Sequence, residues 1–266
     1  MKKKFELANL SKNLLYCVCF SICALNLTAC DDDDENGTQG NNPAPIGIPS
    51  SVVDGVRATS MSGVDVTYNE DGTIKEAEVD GNTLVFNYAS SRAIKVDPIR
   101  SLISITSSER ESERWIASDF AFNTSGFVTA YKLKYREEMN IAYTFNYNAD
   151  GQMQKISMKV DGKDDEGSYS ESGEINYTYN NKVLEKIEAK SKNITCSQTY
   201  EYTQAIKNTY NAMPLLLLPE ALASDDCVFN VFAITGYLGN AGANLPTAMT
   251  IKNTDLEDPS ENSTER

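Results

Sequence analysis

A strict alternation of apolar and polar residues over short segments is the feature that most limits how this chain can fold. It is clearest in Val64–Tyr68, Ile141–Tyr147 and Ile175–Tyr179, where residues two apart form one aliphatic or aromatic face. A period of two is typical of an antiparallel strand that buries one face and exposes the other. The predicted fold class is therefore all-β, an antiparallel meander over residues 51–253 that forms an open or incomplete barrel.

The segments are separated by turns of one recurring sequence. Residues 68–74, 122–128 and 147–153 each begin with an aromatic residue and Asn and carry Gly at the fifth position, and 179–184 is a shortened copy without the Gly. An Asn side chain can bond its own backbone to begin a turn, and Gly supplies the positive φ that ends it. The spacing is irregular, so the pattern indicates diverged hairpins rather than a strict repeat array.

One stretch breaks the strand pattern. Its apolar run Leu215–Ala223 contains Pro219, and a proline inside such a run excludes a long helix. We expect short helices at about 219–223 and 227–234. Together they form a helical insert near 213–236, which we expect to cover the concave apolar face of the sheet.

The first residues have the composition of an export signal. Lysines precede a short apolar run, Leu14–Leu27, which is too short to cross a bilayer. The run ends in Leu27-Thr28-Ala29-Cys30, which resembles the signal of bacterial lipoproteins. The resemblance implies that residues 1–29 are removed and that Cys30 is lipidated and anchors the protein in the membrane. The alternative is a signal peptide cut at another position, which would release a soluble protein.

Two polar segments flank the meander. Residues 30–50 contain the acidic run Asp31–Glu35, which must stay solvated, followed by a flexible linker rich in Asn, Gly and Pro. The acidic run resembles the surface-export signal of lipoproteins from certain anaerobic Gram-negative commensals, which implies a lipid-anchored, surface-exposed protein of the outer membrane. A plain tether on a periplasm-facing protein is the alternative. The polar residues 254–266 are predicted to be a disordered tail.

Charge and composition exclude several functions. The chain has 24 Lys and Arg against 38 Asp and Glu, a formal net charge of −14, which makes nucleic acid a poor partner. It has no His, which removes imidazole bases and His-ligated metals. Catalysis by a pair of carboxylates remains chemically possible, but no spacing in the sequence points to a particular pair. The acidic loop 161–167 lacks the ligand spacing of a calcium-binding EF-hand and is interpreted as a solvated hairpin loop. We therefore predict no catalytic, cofactor-binding or metal-binding residue.

The aromatic residues allow two interpretations. Fourteen Tyr are spread along the alternating segments, and such a stripe could stack against carbohydrate. Aromatic residues that alternate inside strands more often form the core or cross-strand pairs, which is the interpretation we favour.

Only two cysteines remain after export. Cys17, Cys19 and Cys23 lie in the signal and Cys30 takes the lipid, which leaves Cys196 and Cys227. An even pair in an oxidising compartment predicts a disulfide between Cys196 and Cys227. Two separate buried thiols are the alternative.

The whole of residues 60–253 resembles a family of commensal envelope lipoproteins that is classed as a domain of unknown function with a porin-like fold. The resemblance rests on the lipoprotein signal, on aromatic-Asn-x-Asp-Gly hairpins similar to YD-type repeats, and on a late Leu-rich segment before Leu245-Pro246. It implies a cell-surface lipoprotein of unknown molecular function.

We expect a non-enzymatic binding or scaffold protein with an extracellular glycan or protein ligand. A membrane-spanning, porin-like β-barrel is the first alternative, and a carboxylate-based glycan hydrolase is the second.

Overall fold

The computed structural model of this chain describes most of the region that the alternation assigns to the meander. The described residues are 60–61, 64–70, 73–79, 81–90, 101–107, 115–135, 139–164, 167–192, 194–204, 206–208, 227–255 and 262–265. The export signal, Cys30, the acidic run and the linker lie outside the described residues.

The described strands follow one another across a single antiparallel sheet. Strands β1 to β12 each pair with the next, and β15 and β16 continue the sheet after β12, while β13 and β14 form a separate two-stranded ribbon. The strands are β1 (Ser60–Met61), β2 (Val64–Tyr68), β3 (Ile74–Val79), β4 (Asn82–Tyr88), β5 (Leu102–Ser107), β6 (Trp115–Phe122), β7 (Val128–Tyr135), β8 (Met139–Tyr147), β9 (Met153–Asp164), β10 (Gly167–Asn180), β11 (Val183–Lys190), β12 (Ile194–Glu201), β13 (Ile206–Lys207), β14 (Asn244–Leu245), β15 (Ala248–Asp255) and β16 (Ser263–Glu265). The first and last of these strands do not pair with each other, so the sheet is open. The predicted all-β meander is confirmed.

One face of the sheet is buried and the other faces solvent. In β2, Val64 and Val66 are buried while Asp65 between them is exposed. In β7, Tyr131 is buried and the adjacent Lys132 is exposed. Alternation in the sequence therefore becomes a division between an apolar concave face and a charged outer face, as expected for a half-buried antiparallel sheet.

The recurring turn has the geometry that its sequence predicts. The side-chain oxygen Oδ1 of Asn148 accepts a hydrogen bond from the backbone N–H of Gln152 at 2.9 Å. Gly151 has a φ of 75°, which only glycine adopts without strain. Asn123 repeats the arrangement, with Oδ1 accepting from the N–H of Phe127 at 3.0 Å.

The shortened fourth turn reaches the positive φ values of a tight hairpin without glycine. Asn181 and Lys182 both have positive φ, at 49° and 66°. Two central residues in this region make a type I′ turn, whose twist matches that of the flanking strands, and Asn is among the residues that tolerate it best.

One helix packs on the concave face of the sheet. The chain departs after β12 and returns at β15, and helix α1 (Cys227–Ile234) lies between. The ring of Phe232 lies 5.9 Å from that of Phe120 on β6 and 6.1 Å from that of Tyr131 on β7. The ring of Phe229 lies 6.3 Å from that of Phe145 on β8. Helix α1 also packs against β2 and β3, so the sheet curls around it.

The helical insert is confirmed for its second half. The helix expected near 227–234 is α1, whereas the helix expected near 219–223 lies outside the described residues. None of the described helical residues forms a helix long and apolar enough to span a membrane.

Residues 236–243, here called the post-helix segment, attach α1 to the turns at one end of the sheet. The backbone N–H of Val128 donates to the carbonyl of Tyr237 at 2.9 Å, and the N–H of Asn240 donates to the carbonyl of Gly151 at 2.8 Å. The N–H of Ala243 donates to the carbonyl of Lys182 at 3.0 Å. Three of the four recurring turns, or the strands that they join, therefore provide hydrogen-bond partners for this segment.

The prediction of a disordered C-terminal tail is wrong for part of its length. Residues Thr254 and Asp255 belong to β15, and Ser263–Glu265 form β16, which pairs with β15 in antiparallel register. The prediction rested on the polar composition of these residues. An edge strand forms its hydrogen bonds through the backbone, so polar side chains do not prevent pairing.

The attachment of the post-helix segment predicts a selective effect of Gly151→Ala. A Cβ there would lie 2.8 Å from Nδ2 of Asn240 and 2.9 Å from Cε2 of Phe127, in a backbone conformation that strains any L-residue. Gly81→Ala is the matched control, because its φ is also positive, at 81°, and a Cβ there meets nothing within 4 Å.

We expect Gly81→Ala to lower the free energy of unfolding by about 1 kcal/mol and Gly151→Ala by roughly 2–3 kcal/mol, measured by urea unfolding. Equal losses in the two variants would contradict the close approach of the post-helix segment.

Candidate functional site

The concave face of the sheet divides into two regions. Helix α1 packs on β2, β3 and β6 to β8, and its ring contacts with the sheet are with aromatic residues of β6 to β8. The region formed by the ends of β8, β10 and β12 carries a different group of side chains. This group, here called the tyrosine cluster, consists of Tyr147, Tyr177, Tyr179, Tyr200 and Tyr202. Among the described residues, α1 makes no ring contact with these five.

Strand alternation and register place the cluster on one face. Tyr177 and Tyr179 follow the buried Ile175 along β10, two and four residues on. Tyr177 pairs with Ile187 on the neighbouring strand β11, and Ile187 pairs in turn with Gln198 on β12. Tyr177 and Gln198 therefore lie on one row of the concave face, two strand spacings or about 10 Å apart at the backbone.

Three hydroxyls of the cluster are fixed by hydrogen bonds. Tyr147 donates from Oη to the carbonyl of Val128 at 2.6 Å, which ties the end of β8 to β7. Tyr202 donates to the carbonyl of Leu184 at 2.5 Å. Tyr200 donates to Oε1 of Gln198 at 2.8 Å. These bonds hold the rings in place on the concave face.

Two other groups in the row have no partner among the described residues. The hydroxyl of Tyr177 makes no hydrogen bond there, and the side-chain amide nitrogen of Gln198 makes none beyond the bond that its oxygen accepts from Tyr200. Gln198 is only 4% exposed and Tyr177 is half-buried. Native proteins rarely leave such donors unsatisfied, because each costs about 1–3 kcal/mol. The pair is therefore a candidate point of contact for a ligand.

The cluster is electrically neutral over the physiological range. Burial raises the pKa of Tyr177 and of Tyr200 well above the usual phenol value, and the neighbouring phenols raise both further. Burial, with a smaller effect from the carboxylate of Glu185, raises the pKa of Tyr202 to about 12. The phenols are therefore un-ionised hydrogen-bond donors, and a proton transfer near neutral pH has no base among them.

The two cysteines for which the sequence predicts a disulfide do not form part of the tyrosine cluster. Cys196 is a free, buried thiol on β12, and the side chain of Cys227 at the start of α1 lies outside the described residues. The predicted disulfide is not seen in this structure. The described residues include no group of three or more His, Cys, Asp or Glu able to hold a metal.

Sequence reasoning identified the tyrosines but assigned them all to the core. That interpretation holds on β7 and β8, where the rings of Tyr131 and Tyr143 lie 4.9 Å apart and those of Tyr131 and Phe145 5.6 Å apart. The alternation placed Tyr177 and Tyr179 on the same face as these residues. The core interpretation extends to them, because Tyr200 lies in the hydrophobic core and Tyr177 and Tyr179 pack against it.

Comparisons with known proteins give structural similarity alone. No protein-family model and no curated protein matches the chain. Among solved structures, it is similar to a porin-like protein from Bacteroides uniformis, with 17% identity, a TM-score of 0.42 and coverage of 71% of each chain. It is also similar to a porin-like protein from Bacteroides vulgatus, with 13% identity, a TM-score of 0.43 and coverage of 71% of this chain and 74% of that one.

At these identities and TM-scores the porin-like family that the sequence resembles stays a prediction. The assignment to a domain of unknown function and the YD-type repeat stay predictions, since no family model matches.

The buried thiol of Cys196 gives one test of the cluster's surroundings. Burial raises its pKa to about 11, so the thiol is protonated and shielded in the folded protein. We expect no reaction of Cys196 with iodoacetamide at pH 8 in the native state and full reaction after unfolding in urea. A Cys196→Ser variant identifies the signal in the mass spectrum. Rapid native labelling would contradict the buried position.

The unpaired hydroxyl of Tyr177 gives a second test. Removing a hydroxyl that has no partner loses no hydrogen bond, so Tyr177→Phe should leave the free energy of unfolding unchanged or raise it by up to about 1 kcal/mol. Tyr147→Phe is the matched control, because it removes a bonded hydroxyl from the same cluster and should cost about 1 kcal/mol. Urea unfolding measures both. A comparable loss in Tyr177→Phe would show that its hydroxyl has a partner in the free protein.

Proposed function

We propose that this chain is a lipid-anchored outer-membrane protein, exposed at the cell surface, whose β-meander domain binds a ligand without catalysing a reaction. The anchor in this proposal is Cys30, which follows the lipoprotein-type sequence, and the acidic run after it directs the protein outward. The observation that carries the binding role is the pair of unpartnered donors on Tyr177 and Gln198.

The outer face of the sheet supports an aqueous position for the domain. Oppositely charged side chains form ion pairs on this face from β6 to β11. The pairs are Lys132 with Asp119 at 2.8 Å, Lys155 with Glu174 at 2.5 Å, Lys159 with Asp161 at 2.8 Å and Lys186 with Glu188 at 2.7 Å. Strands that cross a bilayer must turn an apolar band toward lipid. A charged face favours anchoring by the N-terminal lipid over a spanning sheet.

The cluster also favours binding over hydrolysis. Glycoside hydrolysis needs two carboxylates on either side of the scissile bond. The cluster offers only phenols, and the described residues beside it on β12 add the amide of Gln198 and the thiol of Cys196, whose pKa is raised. Glu185, the carboxylate that acts on Tyr202, accepts a hydrogen bond from Asn180 at 2.8 Å and is exposed. Binding through hydrogen bonds and ring contacts is the chemistry that these groups support.

Substitution of Cys30 tests the anchor. In the native host, the wild-type protein should sediment with membranes, incorporate labelled fatty acid and be digested by protease added to intact cells. Cys30→Ser should remove the fatty acid and leave the protein in the soluble fraction. Cys23→Ser, within the signal, is the matched control and should behave as wild type.

Sedimentation and fatty-acid labelling of Cys30→Ser would contradict the anchor. Protection of the lipidated wild type from external protease would contradict surface exposure.

A further inference from the structure

We propose that two copies of this chain pair edge to edge through β10, about a two-fold axis at Ser170, and so join their sheets into one. The pairing segment is residues 167–173, here called the β10 extension. It pairs with β9 along its whole length, but β10 pairs with β11 only from Glu174 onward. The β11–β12 pairing ends beside Glu174, at Lys190 and Thr195, so neither strand runs along the extension.

The backbone of the β10 extension directs hydrogen-bonding groups away from β9. At the other end of β10, Asn180 closes a two-residue turn by pairing with Val183, and residues that flank such a turn exchange hydrogen bonds. Alternate residues of a strand face the same neighbour, and the register shift in this pairing places its extra residue on β11. Even-numbered positions of β10 therefore face the β11 side. Within the extension these are Ser168, Ser170 and Ser172, and among the described residues no strand pairs with them on that side.

The β10 extension lacks the features that usually keep an exposed edge from pairing. Such edges are protected by proline, by lysine or by being very short. The extension contains neither proline nor lysine, and its serines are exposed. By contrast, the strands at the two ends of the sheet, β1 and β16, are only two and three residues long. The extension is therefore long enough and open enough to accept a further strand.

The sequence of the β10 extension reads nearly the same in both directions from Ser170. It is Gly-Ser-Tyr-Ser-Glu-Ser-Gly. An antiparallel second copy centred on Ser170 therefore places Ser168 opposite Ser172, and it places Tyr169 opposite Glu171. Even positions then meet even positions, so the residues whose N–H and C=O groups point outward face one another. Three such pairs form about six hydrogen bonds.

Charge favours this register over the next one along the strand. Glu171 is the one charged residue of the extension. A register centred on Glu171 would set two carboxylates directly opposite each other, which is destabilising. With the centre at Ser170, each carboxylate faces the half-buried ring of Tyr169, and only small serines meet on the outer face. The nearest charges of β9 on that face, Lys159 and Asp161, pair within one copy at 2.8 Å. A second copy of this chain is therefore the partner that fits the extension.

Cysteine cross-linking of the purified full-length chain tests the register. Residues directly opposite in a hydrogen-bonded antiparallel pair have Cα atoms about 5.5 Å apart, which a disulfide can span. Under mild copper-phenanthroline oxidation, Ser170→Cys should therefore form a linked dimer on a non-reducing gel. Ser168→Cys and Ser172→Cys should each form none alone, because each lies about 13 Å along the strand from its counterpart, and should cross-link when mixed. Wild type, which keeps Cys196 and Cys227, controls for background oxidation.

Sedimentation velocity in density-matched detergent measures the association itself. Ser172→Pro removes an N–H that the dimer needs and leaves the bonds to β9, whereas Ser172→Ala keeps the backbone and is the matched control. We expect a monomer–dimer equilibrium for wild type and Ser172→Ala, and an association about tenfold weaker or more for Ser172→Pro. If Ser172→Pro fails to fold, the cross-linking pattern decides alone.

Three results would overturn the inference. They are no linked dimer with Ser170→Cys, cross-linking of Ser168→Cys alone as readily as in the mixture, and a wild type that stays monomeric at its highest soluble concentration. The last result would leave the extension to a strand of another protein. Neither measurement requires the lipid anchor or a bound ligand, so failure here is separate from failure of the proposed function.

Discussion

The packing of α1 on the concave face of the sheet is the contact on which the rest of the structure depends. A half-buried sheet needs a second layer to cover its apolar face. Among the described residues that layer is one helix of eight residues whose described side chains are apolar on nearly every side. Val228, Val231 and Phe232 are almost fully buried. A helix with apolar residues all round must itself be surrounded, so the sheet bends from β2 around to β8 to enclose it.

The recurring turns explain how so short a helix is held in place. Asn148 and Gly151 shape a turn whose free carbonyl receives the N–H of Asn240, and Asn240 donates from its side chain to the carbonyl of Asp150 at 2.6 Å. Gln152, buried beside this turn, donates from Nε2 to the carbonyl of Lys182 at 3.0 Å and so links two turns. The helix is held by these backbone contacts as well as by its ring contacts. Its position determines which part of the concave face the tyrosine cluster occupies.

Alternation predicted the sheet because the property it reports is local. Strand position and the buried face follow from residues two apart, and the Asn and Gly of the turns act within five residues, so both were predictable. The path of the chain after β12 depends on contacts between residues 89 or 90 positions apart, such as those of Gln152 with Ala241 and of Asp150 with Asn240. No periodic pattern encodes such pairs. Tyr131 and Tyr177 alternate alike in sequence, and only the structure shows that the hydroxyl of Tyr177 has no partner among the described residues.

Hydrogen exchange of the α1 backbone tests the central claim most directly. If the helix is an integral layer of the core, its protected amides, Val231–Thr235, open only when the whole domain unfolds. Their free energy of exchange should then equal that of the amides in β7 and β8 and fall in parallel with added urea. Exchange of the helix amides at a much lower free energy, while β7 and β8 stay protected, would show that the helix detaches on its own and would contradict the account.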